Sequence, residues 1–172
     1  MVSDGTPLDR ACLLVGRFFH DFGGIEVQLN EALRKLFELN PNSAETICAT
    51  ITFFNKIDIV KSALIDQDKN QAKTPEIRAL FSAIAEINNA RKIATHATFE
   101  ANEDSGVLFK RSSAKAGLKR ENLVWTEAYC TELFLRIEKL RTDLHFMVQS
   151  IAPYYPSLDF SDPRNSMYLG LL

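Results

Sequence analysis

The sequence predicts an all-α protein. It reads as a four-helix bundle of the up-and-down type, with a short β-hairpin-like excursion between the third and fourth helices. Three observations carry this. Apolar residues recur at spacings of three and four over long stretches, as they do in helices with one buried face. Gly and Pro number only 7 and 6 among 172 residues, too few to punctuate a loop-rich all-β fold. One stretch, 99–125, breaks the helical pattern with turn residues and two apolar runs. The length suits a single domain over 1–172, with a core over about 8–152 and a tail over 153–172. Hydrophobic residues make up 46% and charged residues 24%, enough apolar side chain to fill a core.

The first helix is expected over Pro7–Leu39, where Leu14, Phe18, Phe22, Ile25, Leu29, Leu33 and Leu36 form one stripe. Gly23-Gly24 marks a kink or a close helix contact, and Asn40-Pro41-Asn42 ends the segment. The second helix is expected from Ser43, its N-cap, to Ile65, with Glu45 and Thr46 in the first turn. Residues 66–73 form a polar connection. Thr74-Pro75-Glu76 then reads as N-cap, N1 and acidic N2 of the third helix, whose apolar side is Ile77, Leu80, Phe81, Ile84 and Ile87. The fourth runs over about Thr126–Ile151 along Tyr129, Leu133, Phe134, Ile137, Leu140, Leu144, Met147, Val148 and Ile151, and Pro153 and Pro156 stop it. In the excursion, 99–106 is turn-rich, Val107–Lys110 has strand propensity, and Leu123–Trp125 can pair with it. Tyr168–Leu172 are apolar and could dock on the bundle or on a partner.

Net charge is −2 and the pI is about 5.9, which excludes the uniformly basic domain of a bulk nucleic-acid binder and leaves room for a local site. Cys12, Cys48 and Cys130 are odd in number and form no C-x-x-C pair, so they are expected as reduced, mostly buried core residues. The N-terminus lacks a basic-then-apolar signal pattern, and no apolar run approaches the ~20 residues of a membrane span. A cytoplasmic protein without a membrane partner is expected. No Walker, G-x-G-x-x-G, G-x-S-x-G or H-E-x-x-H pattern occurs, and no cofactor is expected. His20 and His145, with Asp21 or Glu26, lack the Glu-x-x-His spacing of metal sites in bundles, so no metal is expected. Glu26, Asn30, Asn55 and Lys56 read as internal hydrogen-bond partners.

The densest polar group closes the third helix, E86-I87-N88-N89-A90-R91-K92-I93-A94-T95-H96. With Asn88 at zero, Asn89 falls at about 100°, Arg91 at about 300°, Lys92 at about 40°, Thr95 at about 340° and His96 at about 80°. The six share an arc of about 160°. Ala90, Ala94 and Ala97 lie on the other side, where small side chains let neighbouring helices approach. Arg91 and His96 are about 140° apart, so they cannot both point at one small ligand from one straight helix. They could flank a cleft, or meet across a symmetric dimer. Two readings are open here. One is a solvated helix end, with His96 as a charge favoured by the helix dipole. The other is a site.

Arg91-Lys92-Ile93-Ala94-Thr95-His96 resembles the R-x4-6-H signature of HEPN domains. The order of parts is similar too: a long first helix with an internal acidic residue (Glu26), a second with F53-F54-N55-K56-I57, the motif on the third, and a closing fourth. The resemblance spans most of residues 10–150. It implies an all-α, often dimeric bundle and, in many members, a metal-independent endoribonuclease of toxin–antitoxin and defence systems. On that reading the chain is a homodimer that engages RNA and a cognate antitoxin or other protein. His96 is then the general acid/base and Arg91 the phosphorane clamp, with Asn88, Asn89, Lys92 and Thr95 in support. Imidazole suits proton transfer near neutral pH, and a guanidinium matches phosphate oxygens. The residue after the arginine, Asn, Asp or His in active members, is Lys92 here, with Asn88 and Asn89 standing before it.

Residues 110–120 carry five basic and no acidic residues: Lys110, Arg111, Lys115, Lys119 and Arg120. They read either as an RNA phosphate contact or as a solvated hairpin. The alternative function is a non-catalytic HEPN-like helical protein that binds a nucleotide, RNA or a protein partner. The acidic pI and Lys92 favour the alternative; the grouped polar face and the 110–120 stretch favour the nuclease.

Overall fold

The computed structural model describes residues 5–102, 106–113 and 119–154. Within them the chain is mainly helical, with five helices and one small antiparallel sheet. Helix α1 spans Pro7–Leu36. Its start is a capping box: the Thr6 hydroxyl accepts from the Asp9 amide, and the Asp9 carboxylate accepts from the Thr6 amide. Its end comes three residues before the expected Leu39. Glu38 takes a left-handed φ of 48°, and the Leu39 and Glu38 amides fold back onto the Arg34 and Lys35 carbonyls, the paired bonds of a Schellman closure. The helix runs unbroken through Gly23-Gly24. A Cβ at Gly24 would sit 2.7 Å from Arg141 Cδ on α5, the close helix contact expected there.

The single helix expected over Ser43–Ile65 is two. Helix α2 spans Pro41–Thr50 and helix α3 spans Phe53–Gln67. Asn40, rather than Ser43, caps α2 by accepting from the Ser43 amide. The break falls at Thr50-Ile51-Thr52, three β-branched residues in a row, which lose side-chain freedom in a helix. Ile51 and Thr52 turn extended, and the Thr52 hydroxyl caps α3 through the Asn55 amide.

Helix α4 spans Thr74–His96. The expected Thr74 cap is replaced by a clamp from Asp68, which accepts from the Lys73 amide and the Thr74 hydroxyl, each at 2.8 Å. Burial pushes the Asp68 carboxyl up, but the hydrogen bonds from Thr74 and from the Lys73, Thr74 and Ala72 backbone outweigh it, and the group titrates below its ordinary value. A depressed folded pKa stabilises fully above the ordinary aspartate range near pH 4, and that contribution is lost as pH falls through the folded value. Asp68→Asn is therefore expected to be less stable than wild type at pH 7, with the gap closing towards pH 3. Urea melts across that range check it; a pH-independent gap would disprove the clamp.

Helix α5 spans Glu127–Gln149, capped by the Thr126 hydroxyl on the Tyr129 amide. Arg10 pairs with Glu127, the Arg17 guanidinium lies 4.4 Å from the Phe134 ring centre, and Lys35 Nζ donates to the Val148 carbonyl. Positions rise together along both helices, so α1 and α5 run parallel. Phe22 against Phe53 and Glu26 against Lys56 make α3 parallel to α1 as well. Arg136 on Glu86 makes α4 antiparallel to α5, with α4 residues 76–83 and α5 residues 136–143 lining one groove between them. The first and last helices of a four-helix up-and-down bundle run antiparallel. The extra reversal at α2 makes them parallel here. The core runs along α1, where Phe18, Ile25, Leu29 and Leu36 are fully buried.

Strands β1 (Thr98–Ala101), β2 (Val107–Ser113) and β3 (Lys119–Trp125) form the sheet, in the order β1-β2-β3. The expected pairing of 107–110 with 123–125 is present and runs further, with Val107 opposite Trp125 and Ser113 opposite Lys119. Strand β1 lies partly in the stretch expected as turn-rich. Thr98 and Phe99 favour a strand and Glu100 and Ala101 do not, and the four are held by pairing with β2, Phe99 opposite Phe109. One face of the sheet docks on α1: Trp125 packs against Phe109 at 4.6 Å and Phe18 at 5.1 Å between ring centres.

Candidate functional site

Helix α4 buries Ile77, Leu80, Phe81, Ile84 and Ile87, a stripe that steps by three and four. Continued in the same register, that stripe reaches Asn88, Arg91 and Ala94. The structure follows it. Asn88 is 4% exposed and Arg91 is half-buried, whereas Asn89, Lys92, Thr95 and His96 face solvent. The polar arc drawn from the wheel is therefore divided between an inward and an outward side.

Arg91 takes a place that the register assigns to an apolar residue. Its guanidinium carbon lies 5.8 Å from the centre of the Phe22 ring, a cation–π contact. It has no ion-pair partner among the described residues. The Asn88 Oδ1 atom is buried without a hydrogen-bond partner among the described residues. Thr95 donates its hydroxyl to the Arg91 carbonyl at 2.8 Å and so braces the turn. His96 is the last residue of α4, and β1 opens two residues later. Five residues separate Arg91 from His96, an axial rise of about 7.5 Å. The pair offers one sheltered cation held against an aromatic ring and one exposed imidazole.

Sheet pairing brings the hairpin's basic residues near this end of α4. Thr98 pairs with Lys110, so Lys110 is about 5 Å across the ladder from a residue two positions after His96. Acidic neighbours come with it. Lys110 Nζ bonds Glu100 Oε2 at 2.6 Å, and Arg111 stands opposite Glu121. Arg120 is exposed opposite Ser112, and Lys119 opens β3. Lys115 and the apolar tail 168–172 lie outside the described residues.

Cys48 and Cys130 are buried, and burial pushes both thiols up, as expected of inert core residues. Cys12 is exposed instead, because the buried stripe of α1 passes through Ala11 and Val15 and leaves it outside. His20 and His145 are exposed, and no group of three or more metal-ligating side chains occurs among the described residues. No helix among them is long and apolar enough to cross a membrane.

Lys56 is 2% exposed, and its Nζ bonds Glu26 Oε1 at 2.7 Å. Both were legible as internal partners. The opening beside them was not, because it forms where α2 folds back at the unexpected Thr50–Thr52 break. Comparison with known proteins adds nothing to these observations: no family model, no curated protein and no solved structure matches the chain.

Proposed function

We propose that the chain is a metal-independent endoribonuclease of the HEPN type, working as a homodimer with Arg91 and His96 at its centre. The observation that carries this is Arg91: a half-buried guanidinium without an ion-pair partner among the described residues, set in the inward register of α4 about one and a half turns from an exposed histidine. An arginine in a core stripe costs stability, and departures of this kind are expected at functional sites. The fold reading that accompanies the proposal takes α1, α3, α4 and α5 as the four bundle helices and the sheet as the excursion. Cleavage of cellular RNA as a toxin or defence component, in the cytoplasm and under a cognate antitoxin, belongs to the same reading.

In this mechanism the RNA 2′-oxygen bonds to the adjacent phosphorus and the bond from phosphorus to the 5′-oxygen breaks. One His96 imidazole takes the 2′-hydroxyl proton and its counterpart across the dimer gives a proton to the leaving 5′-oxygen. Arg91 stabilises the charge that builds on the phosphorane, strongly because the group is partly withdrawn from water. Of the supporting residues, the exposed Asn89 and Lys92 contact the strand and the inward Asn88 and the turn-bracing Thr95 support Arg91 from within the helix, while Lys110, Arg111, Lys115, Lys119 and Arg120 hold the phosphates.

Purified protein incubated with mixed-sequence RNA in EDTA is expected to leave 2′,3′-cyclic phosphate and 5′-hydroxyl ends. His96→Ala is expected to slow this by about 10²–10⁴-fold, the usual worth of a general acid/base. His96 is exposed, so the variant should melt like wild type. A folded, dimeric wild type that leaves every RNA intact would refute the nuclease. The second reading, a non-catalytic protein that binds RNA, a nucleotide or a protein partner, is favoured by Lys92 after the arginine and by the Glu100–Lys110 pair, which spends hairpin charge internally.

A further inference from the structure

Two inward-facing cations meet neighbouring turns of α1. Arg91 lies over the Phe22 ring, and Lys56 Nζ bonds Oε1 of Glu26, which stands one turn beyond Phe22. They are met differently. Lys56 has a carboxylate. Arg91 has an aromatic ring and no ion-pair partner among the described residues. Phe53, one turn before Lys56 on α3, packs on Phe22 with ring centres 4.7 Å apart. Both contacts therefore belong to one junction of α1, α3 and α4.

Side-chain direction brings Glu26 and Arg91 towards each other. Helical side chains lean towards the N-terminus of their own helix. α4 runs antiparallel to α5 and hence to α1. From its contact with Phe22 the Arg91 side chain leans along α1 towards Glu26, and the Glu26 side chain leans back towards Phe22. Phe22 and Glu26 are about 6 Å apart along the axis, within the span of two long side chains. Burial decides which cation holds the carboxylate. Lys56 is 2% exposed, whereas Arg91 is half-buried. An unpaired ammonium in the interior is costly, while a half-buried guanidinium stays partly hydrated and keeps its ring face. Glu26 goes to Lys56.

We propose that Lys56 is a positioning residue for Arg91: by holding Glu26 it keeps a carboxylate off the guanidinium and leaves Arg91 to meet an anion. A buried ion pair adds little stability over apolar packing, so stability alone gives a weak reason for a lysine at this place. Without Lys56, Glu26 forms a charge-assisted pair with Arg91. A guanidinium held in that way has fewer donors and less net charge for a phosphorane. The inference rests on the role proposed above for Arg91, but the placement of Glu26 is readable without any activity.

The test follows the NMR resonance of the Arg91 Nε–H group in the full isotope-labelled chain, assigned by its loss in Arg91→Leu, beside RNA cleavage in EDTA. Lys56→Met is expected to move that resonance, as capture by a carboxylate does, and to lower kcat by about 10²-fold, the scale of one preorganised donor. Adding Glu26→Gln to Lys56→Met is expected to return the resonance and to restore kcat. The packing change at position 56 is common to both variants, so only the carboxylate separates them. Lys56→Gln makes the same comparison if Lys56→Met does not fold. A resonance that Lys56→Met leaves in place, or that Glu26→Gln fails to return, would overturn the inference and leave the nuclease standing. Intact RNA with the wild type would remove the nuclease, and the resonance would still decide where Glu26 goes.

Discussion

Gly106→Ala is expected to lower the melting temperature by about 6–12 °C. A Cβ at Gly106 would stand 2.2 Å from the Trp125 carbonyl oxygen and 3.1 Å from Thr126 Cα. Both obstacles are backbone, so no side chain can swing aside. Relief would have to come from moving β2 away from β3. Val107, the next residue, is paired with Trp125, and Gly106 itself accepts from the Asn102 amide at 3.0 Å to close the β1–β2 turn. Moving the strands would also shift Trp125, which is 1% exposed and packed on Phe18 and Phe109. Overpacking of this kind costs about 3 kcal/mol, and a chain of this size loses about 2–4 °C per kcal/mol. A calorimetric scan checks it. A shift under about 2 °C would mean that the strands open freely at this edge.

Replacing Arg91 by leucine is expected to separate stability from activity. The position continues the buried stripe of α4 and is half-buried, and the guanidinium has no ion-pair partner among the described residues. Leucine supplies the apolar surface that the register calls for and forgoes a cation–π contact worth about 0.5–1 kcal/mol. The melting temperature of Arg91→Leu should be unchanged or higher. RNA cleavage should fall by about 10²–10³-fold, the usual loss of one preorganised donor to a developing anion. Arg91→Lys should not restore it, because an ammonium cannot span two phosphate oxygens in a plane. If Arg91→Leu instead melts more than about 5 °C lower, the arginine is there to hold α4 against Phe22, and the argument from its position is lost.

The inward setting of Arg91 was within reach of the sequence. Ile77, Leu80, Ile84 and Ile87 define a register, and extending it by one step places Arg91 inside. Plotting the polar residues alone grouped Arg91 with His96, because an arc of about 160° is wide enough to include both sides of a boundary. The α2–α3 break was also written locally, in Thr50-Ile51-Thr52, but a continuous apolar composition on either side masked it.

The sequence by itself determined the long helices, the start of α5 near Thr126, the core stripe of α1 and the hairpin signal of β2 and β3. Each is set by neighbours three or four apart on a helix, or two apart on a strand, and such spacing is visible in one dimension. Tertiary structure alone decided that α1 and α5 run parallel, that β1 joins the sheet, that Glu100 neutralises Lys110, and that an opening lies beside Asn30 and Lys56. Those depend on which distant segments share a surface, and no local spacing encodes that, because burial is a property of the packed whole.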